Sequence, residues 1–154
     1  MDRVQYYGSL MMYHRPLDIT DFLERCGDLK PTKDPMYKPC YIVFNDNDQP
    51  VGIASLFPGE RDSSVPRDFI RNVFVDFIAV DPNFRQMGYG TSLLSAVLED
   101  RKGVQLYFRA FTHCTEYINM MRLCGLELGY VQPDGQIAYY TNQAEVLTCP
   151  SMTP

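Results

Sequence analysis

The stretch from 72 to 100 constrains the fold more tightly than any other part of the sequence. It opens with an almost wholly apolar run at 73–80, VFVDFIAV, whose length and content of β-branched and aromatic residues predict a buried strand. A loop with Gly88 and Gly90 follows this strand. Apolar residues then recur at helical spacing, which predicts a helix over about 91–101 with one face in the core.

A second apolar run at 104–111, VQLYFRAF, predicts another buried strand directly after this helix. Two strands of one sheet that are joined through a helix pair in parallel, and the connection is right-handed in nearly all proteins. The sequence therefore predicts a βαβ crossover over 73–111.

The rest of the chain alternates between strand-like and helix-like patterns. We expect a first strand that ends near Pro16, a helix from an Asp18 N-cap to Gly27, a hairpin over 40–59, a helix over 115–125 that Thr115 caps, and a hairpin over 126–141 turned at Pro133-Asp134-Gly135. The order is β-α-β-β-β-α-β-α-β-β, so the predicted fold is mixed α/β with a single central sheet. The predicted domain covers residues 1–141, and 142–154 form a C-terminal tail.

Composition narrows the class of protein. The chain has 154 residues, of which 45% are hydrophobic, and its 19 acidic against 14 basic residues give a net charge of −5. An acidic balance disfavours nucleic acid as a partner. No apolar run approaches the roughly 18 residues of a membrane span, and the N-terminus does not resemble a signal peptide. We therefore expect a cytoplasmic protein without a membrane partner.

The cysteine and histidine content argues against a disulfide framework and against a zinc site. The five cysteines contain no C-x-x-C pair, and two histidines are the only further nitrogen ligands. We expect reduced thiols and no bound metal.

The glycine loop is suited to an anion. Gly88 and Gly90 allow a positive φ and leave backbone N–H groups uncovered, the first turn of a helix carries a positive dipole end, and Thr91 adds a hydroxyl. The alternative is a tight turn with glycines required for packing. The loop is neither a P-loop nor a Rossmann fingerprint, because it lacks the G-K-[ST] ending and the third glycine.

The sequence FIAVDPNFRQMGYGTSLL resembles the signature of the GNAT (GCN5-related N-acetyltransferase) superfamily. Residues 85–90, RQMGYG, match the pattern [RQ]-x-x-G-x-[GA] at every fixed position, and Val80 and Pro82 precede them at the family spacing. The order of elements is also similar to that family over roughly residues 5–141.

The resemblance implies that acetyl-CoA is the acyl donor. In that family the loop and helix start hold the pyrophosphate through backbone N–H groups, the end of the preceding strand pairs with the pantetheine arm, and the acyl group sits where two parallel strands splay apart. An N–H of the strand also polarises the thioester carbonyl, as an oxyanion hole does. The positions implied for cofactor binding are Ile78, Ala79, Val80, Arg85, Gln86, Met87, Gly88, Tyr89, Gly90 and Thr91.

Asp76 is the one carboxylate in the apolar run. Several enzymes of the family carry a general base at this position, four residues before the closing Val80. An amine acceptor is cationic at neutral pH and must lose a proton, and burial among apolar groups makes a carboxylate a stronger base. The alternative is a structural carboxylate that pairs with Arg109 or Arg71.

The second helix departs from the family pattern. Members commonly carry an asparagine near its start and a tyrosine late in it as the general acid, and these positions fall on Cys114 and Met121. The acid is then water or one of Tyr117, Tyr130, Tyr139, Tyr140 and Cys124, with His113 a weaker candidate for contact with the acceptor. Water suffices chemically, because a thiol pKa near ~8.5 makes the thiolate a good leaving group.

The leading hypothesis is an N-acetyltransferase that acts on an amine, either a small molecule or a protein lysine or N-terminus. The first alternative is a GNAT-fold module that binds CoA with weak or no catalysis, and the second is a host-interaction module with a vestigial cofactor site, which the intact loop disfavours. A homodimer stays open. The acidic balance favours a cationic acceptor.

Overall fold

A computed structural model describes residues 3–27, 34–58 and 73–142. Its strands and α-helices are, in chain order, β1 (Arg3–Tyr7), α1 (Pro16–Arg25), β2 (Cys40–Phe44), β3 (Pro50–Pro58), β4 (Val73–Val80), α2 (Tyr89–Asp100), β5 (Leu106–Phe111), α3 (Thr115–Leu123), β6 (Glu127–Val131) and β7 (Ile137–Thr141). The predicted order of elements is confirmed. Residues 59–72 and residues 143–154 of the predicted tail lie outside the described residues, and the domain boundary at 141 stays a prediction.

The seven strands form a single mixed sheet with the order β1-β2-β3-β4-β5-β7-β6. The hairpin partners β2 and β3 are antiparallel, and so are β6 and β7. β4 and β5 are parallel, with Val73 opposite Leu106 and Val75 opposite Phe108. This pairing confirms that the helix between them, α2, belongs to a βαβ crossover.

The N-terminal region differs from the sequence prediction. β1 ends at Tyr7 rather than near Pro16, and a 3-10 turn places Leu10 fully in the core. The apolar residues after Tyr7 suggest a longer strand, but they form this turn instead, and Leu10 is the side chain that it buries. α1 begins at Pro16, because a proline at the first helical position has its φ already set and needs no N–H partner. Asp18 is therefore not the N-cap; it lies in the first turn and pairs with Arg15 at 2.8 Å.

The later helices also begin at slightly different residues than predicted. α2 starts at Tyr89, two residues before the predicted Thr91. α3 starts at Thr115, so Cys114 rather than Thr115 occupies the N-cap position. The hairpin turn at 133–135 is confirmed, with the Gly135 N–H bonded to the Gln132 carbonyl at 2.8 Å.

Residue contacts divide the chain into two compact units. The first comprises Met1–Leu56 and Asp76–Arg101. Its main core joins α1 to the strands that it covers, with the buried residues Leu10, Tyr13, Ile19, Phe22, Cys40, Ile42, Phe44, Ile53, Phe77 and Ala79. Fully burying a side chain such as Phe22 contributes roughly 1.5–3 kcal/mol, which exceeds what helix propensity alone gives a ten-residue helix.

The second unit comprises Phe57–Val75 and Lys102–Pro154. Its aromatic cluster consists of Phe74, Tyr107 and Tyr139, with Phe57, Tyr130 and Ile137 packed against them. Phe74 lies at the centre, stacked on Phe57 at 5.4 Å and edge-on to Tyr139 at 5.6 Å between ring centroids. Such pairs add to the free energy of burial because the ring edges and faces carry opposite partial charges.

Gly52 of β3 lies where a side chain would clash with its neighbours. A Cβ atom at this position would lie 2.9 Å from Leu93 Cδ1 of α2, 2.9 Å from Val43 Cγ1 and 3.1 Å from the Ala79 carbonyl oxygen. Leu93 and Val43 are fully buried, so a side chain at Gly52 would require packed neighbours to shift. The absence of a side chain at Gly52 therefore lets α2 pack directly on the sheet.

We predict that Gly52→Ala lowers the free energy of unfolding by about 1–3 kcal/mol through overpacking, as measured by urea denaturation. Gly8→Ala is the matched control, since a Cβ there would meet only Met12 Sδ at 3.4 Å, an ordinary contact. Equal stability of the Gly52→Ala variant and the wild type would show that α2 has room to shift.

Candidate functional site

The loop between β4 and α2 has a defined backbone. It begins with a 3-10 turn, Pro82–Phe84, and then passes through Gln86 with φ 62° to Gly88 with φ 87° and ψ 4°. Gly88 is the N-cap of α2, and a Cβ added to it would meet nothing within 4 Å. The glycine is thus required for its left-handed backbone rather than for space. Gly90, predicted to lie in the loop, belongs to the first turn of the helix.

The start of α2 presents backbone donors. The first helical hydrogen bond runs from Ser92 N to the Gly88 carbonyl at 3.0 Å, so the N–H groups of Tyr89, Gly90 and Thr91 precede the bonds within the helix. The first turn carries no acidic residue, and residues 85–88 are exposed to solvent. These donors and the positive end of the helix dipole fit an anionic group such as a pyrophosphate.

The last peptide group of β4 has a fixed orientation. The Asp81 N–H donates to the Val51 carbonyl of β3 at 2.8 Å. Because the N–H and C=O of a trans peptide point in opposite directions, the Val80 carbonyl points away from β3. In an extended strand the N–H groups of Val80 and Ile78 then lie on that same edge. The parallel pairs of β4 with β5 involve Val73 to Val75.

Two side chains bind the Val80 carbonyl. Arg85 donates to it from Nε at 3.3 Å, and Cys26, at the end of α1, donates from Sγ at 3.7 Å. Burial raises the pKa of the Cys26 thiol, and the neighbouring Arg85 offsets part of that rise. The thiol therefore keeps the proton that it donates.

Asp76 lies in the middle of β4 and is 3% exposed. The strand alternation puts it on the face of Phe74, whereas Phe77 and Ala79, on the other face, belong to the core that α1 covers. Of the two arginines named as structural partners, Arg71 lies outside the described residues. Arg109 is itself buried, with its guanidinium carbon 5.2 Å from the centroid of the Phe111 ring.

Met121, the predicted position of the family tyrosine, is fully buried in α3 and packs in the core. Cys114 is the N-cap residue of the same helix and makes no capping bond through its side chain. A methionine and a cysteine thus occupy the positions at which the resemblance predicts the family's tyrosine and asparagine.

The tyrosines named as alternative acids differ in their surroundings. Tyr139 and Tyr140 are both buried and, as neighbours in β7, lie on opposite faces of the sheet. Tyr139 accepts a hydrogen bond from Gln132 Nε2 at 3.2 Å and stacks on the half-buried Tyr130 at 6.1 Å. The hydroxyl of Tyr117, on α3, is buried. His113, just before α3, is exposed.

Sequence reasoning missed the ion pair between Arg25 and Asp81. Arg25 donates from a terminal nitrogen to Asp81 Oδ2 at 2.7 Å, and the Asp81 side chain is 4% exposed. The other carboxylate oxygen accepts the Asn83 N–H at 3.0 Å. An aspartate two residues before the amide that it binds is a recognisable turn signal. Its arginine partner, 56 residues away in sequence, carries no such signal.

Among the residues that the structure describes, no group of three or more His, Cys, Asp or Glu side chains could hold a metal ion. Within the same part of the chain, no α-helix has both the length and the apolar character needed to cross a membrane.

Several solved structures share the fold of this chain. The ribosomal-protein-S18-alanine N-acetyltransferase from Escherichia coli aligns with a TM-score of 0.60 at 15% identity, over 92% of this chain and 91% of its own. A GNAT-family protein from Desulfovibrio desulfuricans gives 0.65 at 15% identity, over 92% and 98%. Arabidopsis thaliana NAA60 in complex with acetyl-CoA gives 0.55 at 11% identity, over 90% and 96%.

A search of curated protein sequences gives no significant match. The family model described as "Acetyltransferase (GNAT) family" matches residues 9–125, which include β4, the loop and α2. The chain therefore belongs to the GNAT acetyltransferase family.

Proposed function

We propose that this protein transfers the acetyl group of acetyl-CoA to an amine. The observation that carries the proposal is the left-handed N-cap at Gly88, which leaves the first N–H groups of α2 available to an anion inside a motif of an acetyltransferase family. NAA60, one of the structural neighbours, has been solved with acetyl-CoA bound. That neighbour supports the choice of donor.

We assign the donor site to two segments. The backbone N–H groups of residues 86–91 bind the pyrophosphate, and the edge of β4 at Ile78 to Val80 pairs with the pantetheine arm. The orientation of the Val80 carbonyl away from β3 supports the second assignment, because it puts the Val80 N–H on the same edge. An N–H on this edge donates to the thioester oxygen and stabilises the negative charge that develops there.

In the proposed reaction the amine nitrogen attacks the thioester carbonyl carbon. The C–S bond breaks, and the thiolate leaves and takes up a proton. Asp76, directly or through a water molecule, removes the proton that makes the acceptor amine cationic. The products are the amide, the free thiol of CoA and one proton.

The acceptor is an amine of a small molecule or of a protein, either a lysine or an N-terminus. The E. coli neighbour is named for an alanine of a ribosomal protein, which supports a protein N-terminus as one class to test. A net charge of −5 favours acceptors that carry positive charge. The decisive assay is thiol release from acetyl-CoA against matched panels of small amines, lysine peptides and free N-terminal peptides.

The second candidate is a CoA-binding module with weak or no catalysis. The observation that favours it is the fully buried Met121 at the position of the family acid. Binding of acetyl-CoA without thiol release in the presence of any amine panel would support this alternative over the enzyme.

We predict that acetyl-CoA raises the melting temperature of the protein, because a ligand that binds only the folded state stabilises it. Gly88→Asp should abolish this shift, since it puts a negative charge among the donors for the pyrophosphate. Gly103→Asp is the matched control: Gly103 has φ 86°, almost the same as Gly88, and a Cβ there also meets nothing within 4 Å. A folded wild type that binds no acetyl-CoA at millimolar concentration would refute the donor site.

We predict that Asp76→Asn lowers kcat about 100-fold or more, as expected for a general base, and removes the acid limb of the pH–rate profile. Binding of acetyl-CoA should change less than about two-fold, because the residue acts on the acceptor. Asp21→Asn, an exposed change on α1, is the control. Unfolding of the Asp76→Asn variant, or an unchanged rate, would favour the structural role of the carboxylate.

We predict that no single Tyr→Phe change at 117, 130, 139 or 140 costs more than about ten-fold in kcat/KM, roughly 1.4 kcal/mol of transition-state stabilisation. The thiolate leaves without prior protonation, so a dedicated acid adds little. Steady-state kinetics on the four variants checks this. A loss of a hundred-fold or more at one of them would identify that tyrosine as the acid.

A further inference from the structure

We propose that Arg25 of α1 is a positioning residue for the donor-binding loop and acts through Asp81. This inference rests on the proposed acetyl-CoA site and adds a residue that belongs to neither the loop nor β4. We call two contacts the α1 clamp: the ion pair between Arg25 and Asp81, and the hydrogen bond from Cys26 to the Val80 carbonyl.

The first part of the clamp fixes the Asp81 carboxylate. One oxygen binds Arg25 at 2.7 Å and the other binds the Asn83 N–H at 3.0 Å, so both oxygens are held and the side chain has one orientation. The carboxylate is almost fully buried, and its negative charge requires a partner there. Arg25 supplies that partner from a different element of the fold.

The second part of the clamp fixes the peptide group that precedes the loop. Cys26 follows Arg25 in the chain and donates to the Val80 carbonyl at 3.7 Å. The end of α1 thus contacts both residues of the junction between β4 and the loop. Ile19 and Phe22 anchor α1 in the core, so the two residues at its end contact the junction from a fixed position.

The 3-10 turn Pro82–Phe84 connects the clamp to the backbone N–H groups at the start of α2. The Asp81 carboxylate and carbonyl accept the N–H groups of Asn83 and Phe84, and the Phe84 ring contacts the Tyr89 ring at 6.5 Å between centroids. Without Arg25 the buried carboxylate rotates toward water and releases the Asn83 N–H. The loop then loses conformational freedom when acetyl-CoA binds, and this entropy cost weakens binding.

The test is calorimetric titration of acetyl-CoA into wild type, Arg25→Met, Arg25→Lys and Arg15→Ala. We expect Arg25→Met to raise Kd about ten-fold, an effect between those of exposed and buried ion pairs, because Arg25 is about half exposed. Arg25→Lys keeps the charge and should stay within about three-fold. Arg15→Ala removes an exposed ion pair at the other end of the same helix and should leave Kd unchanged.

A double-mutant cycle separates positioning from general destabilisation. If Arg25 acts through Asp81, Arg25→Met combined with Asp81→Asn should raise Kd no more than the stronger single change does. Multiplicative effects of the two changes, or a Kd for Arg25→Met equal to that of the wild type, would overturn the inference. A lower melting temperature with unchanged Kd would also overturn it, since that result marks a purely structural ion pair.

Amide hydrogen exchange gives a readout that needs no ligand. We expect faster exchange at Asn83 in Arg25→Met than in Arg15→Ala, and equal rates would overturn the clamp. A wild type that binds no acetyl-CoA would refute the proposed function, and the role of Arg25 in binding would be refuted with it. Tight binding by both the wild type and Arg25→Met would refute the clamp alone.

Discussion

The peptide group between Val80 and Asp81 is the constraint on which the candidate site depends. Its N–H is bound to Val51 of β3, and its carbonyl is bound by side chains from α1 and from the loop. One planar unit therefore sets two things: the direction in which the end of β4 presents its N–H groups, and the point from which the loop departs. A rotation of this peptide would move the edge of the strand and the start of the loop together.

Hydrogen bonds to β2 hold the C-terminal end of α2, whereas the loop before its N-terminal end is exposed to solvent. Tyr41 of β2 donates its hydroxyl proton to Asp100, the last residue of the helix, and accepts a hydrogen bond from Arg101 Nε at 3.0 Å. Burial and the bond to Asp100 raise the pKa of Tyr41 to about 12, so the hydroxyl keeps its proton under ordinary conditions. With Leu93 seated against Gly52 as well, the helix is held in its middle and at its C-terminus. These contacts fix the helix, and with it the direction of the N–H groups at its N-terminus.

Much of this architecture is readable from the sequence because it follows from local patterns. The apolar runs predict the strands, helical spacing predicts α2 and α3, and the motif at 85–90 predicts the loop. The sequence places the start of α2 two residues too late, because both glycines suggest a loop and only the backbone shows that Gly88, not Gly90, has a left-handed conformation. The close packing at Gly52 and the Arg25–Asp81 pair were missed since both join elements that are distant in sequence. Neither has a pattern within its own segment.

The identities of Asp76 and Met121 fit the unequal proton demands of amide formation from a thioester. A lysine acceptor has a pKa of about 10.4 and is mostly cationic at neutral pH, so attack requires that a proton be taken from it. A thiol has a pKa of about 8.5, so the leaving thiolate is formed at little cost and can be protonated by water. In the proposed reaction the Asp76 carboxylate on β4 meets the first demand, and the second needs no dedicated side chain. Under the proposed function, Asp76 is thus the residue type that the harder proton transfer requires, and the buried Met121 at the predicted tyrosine position is compatible with the easier one.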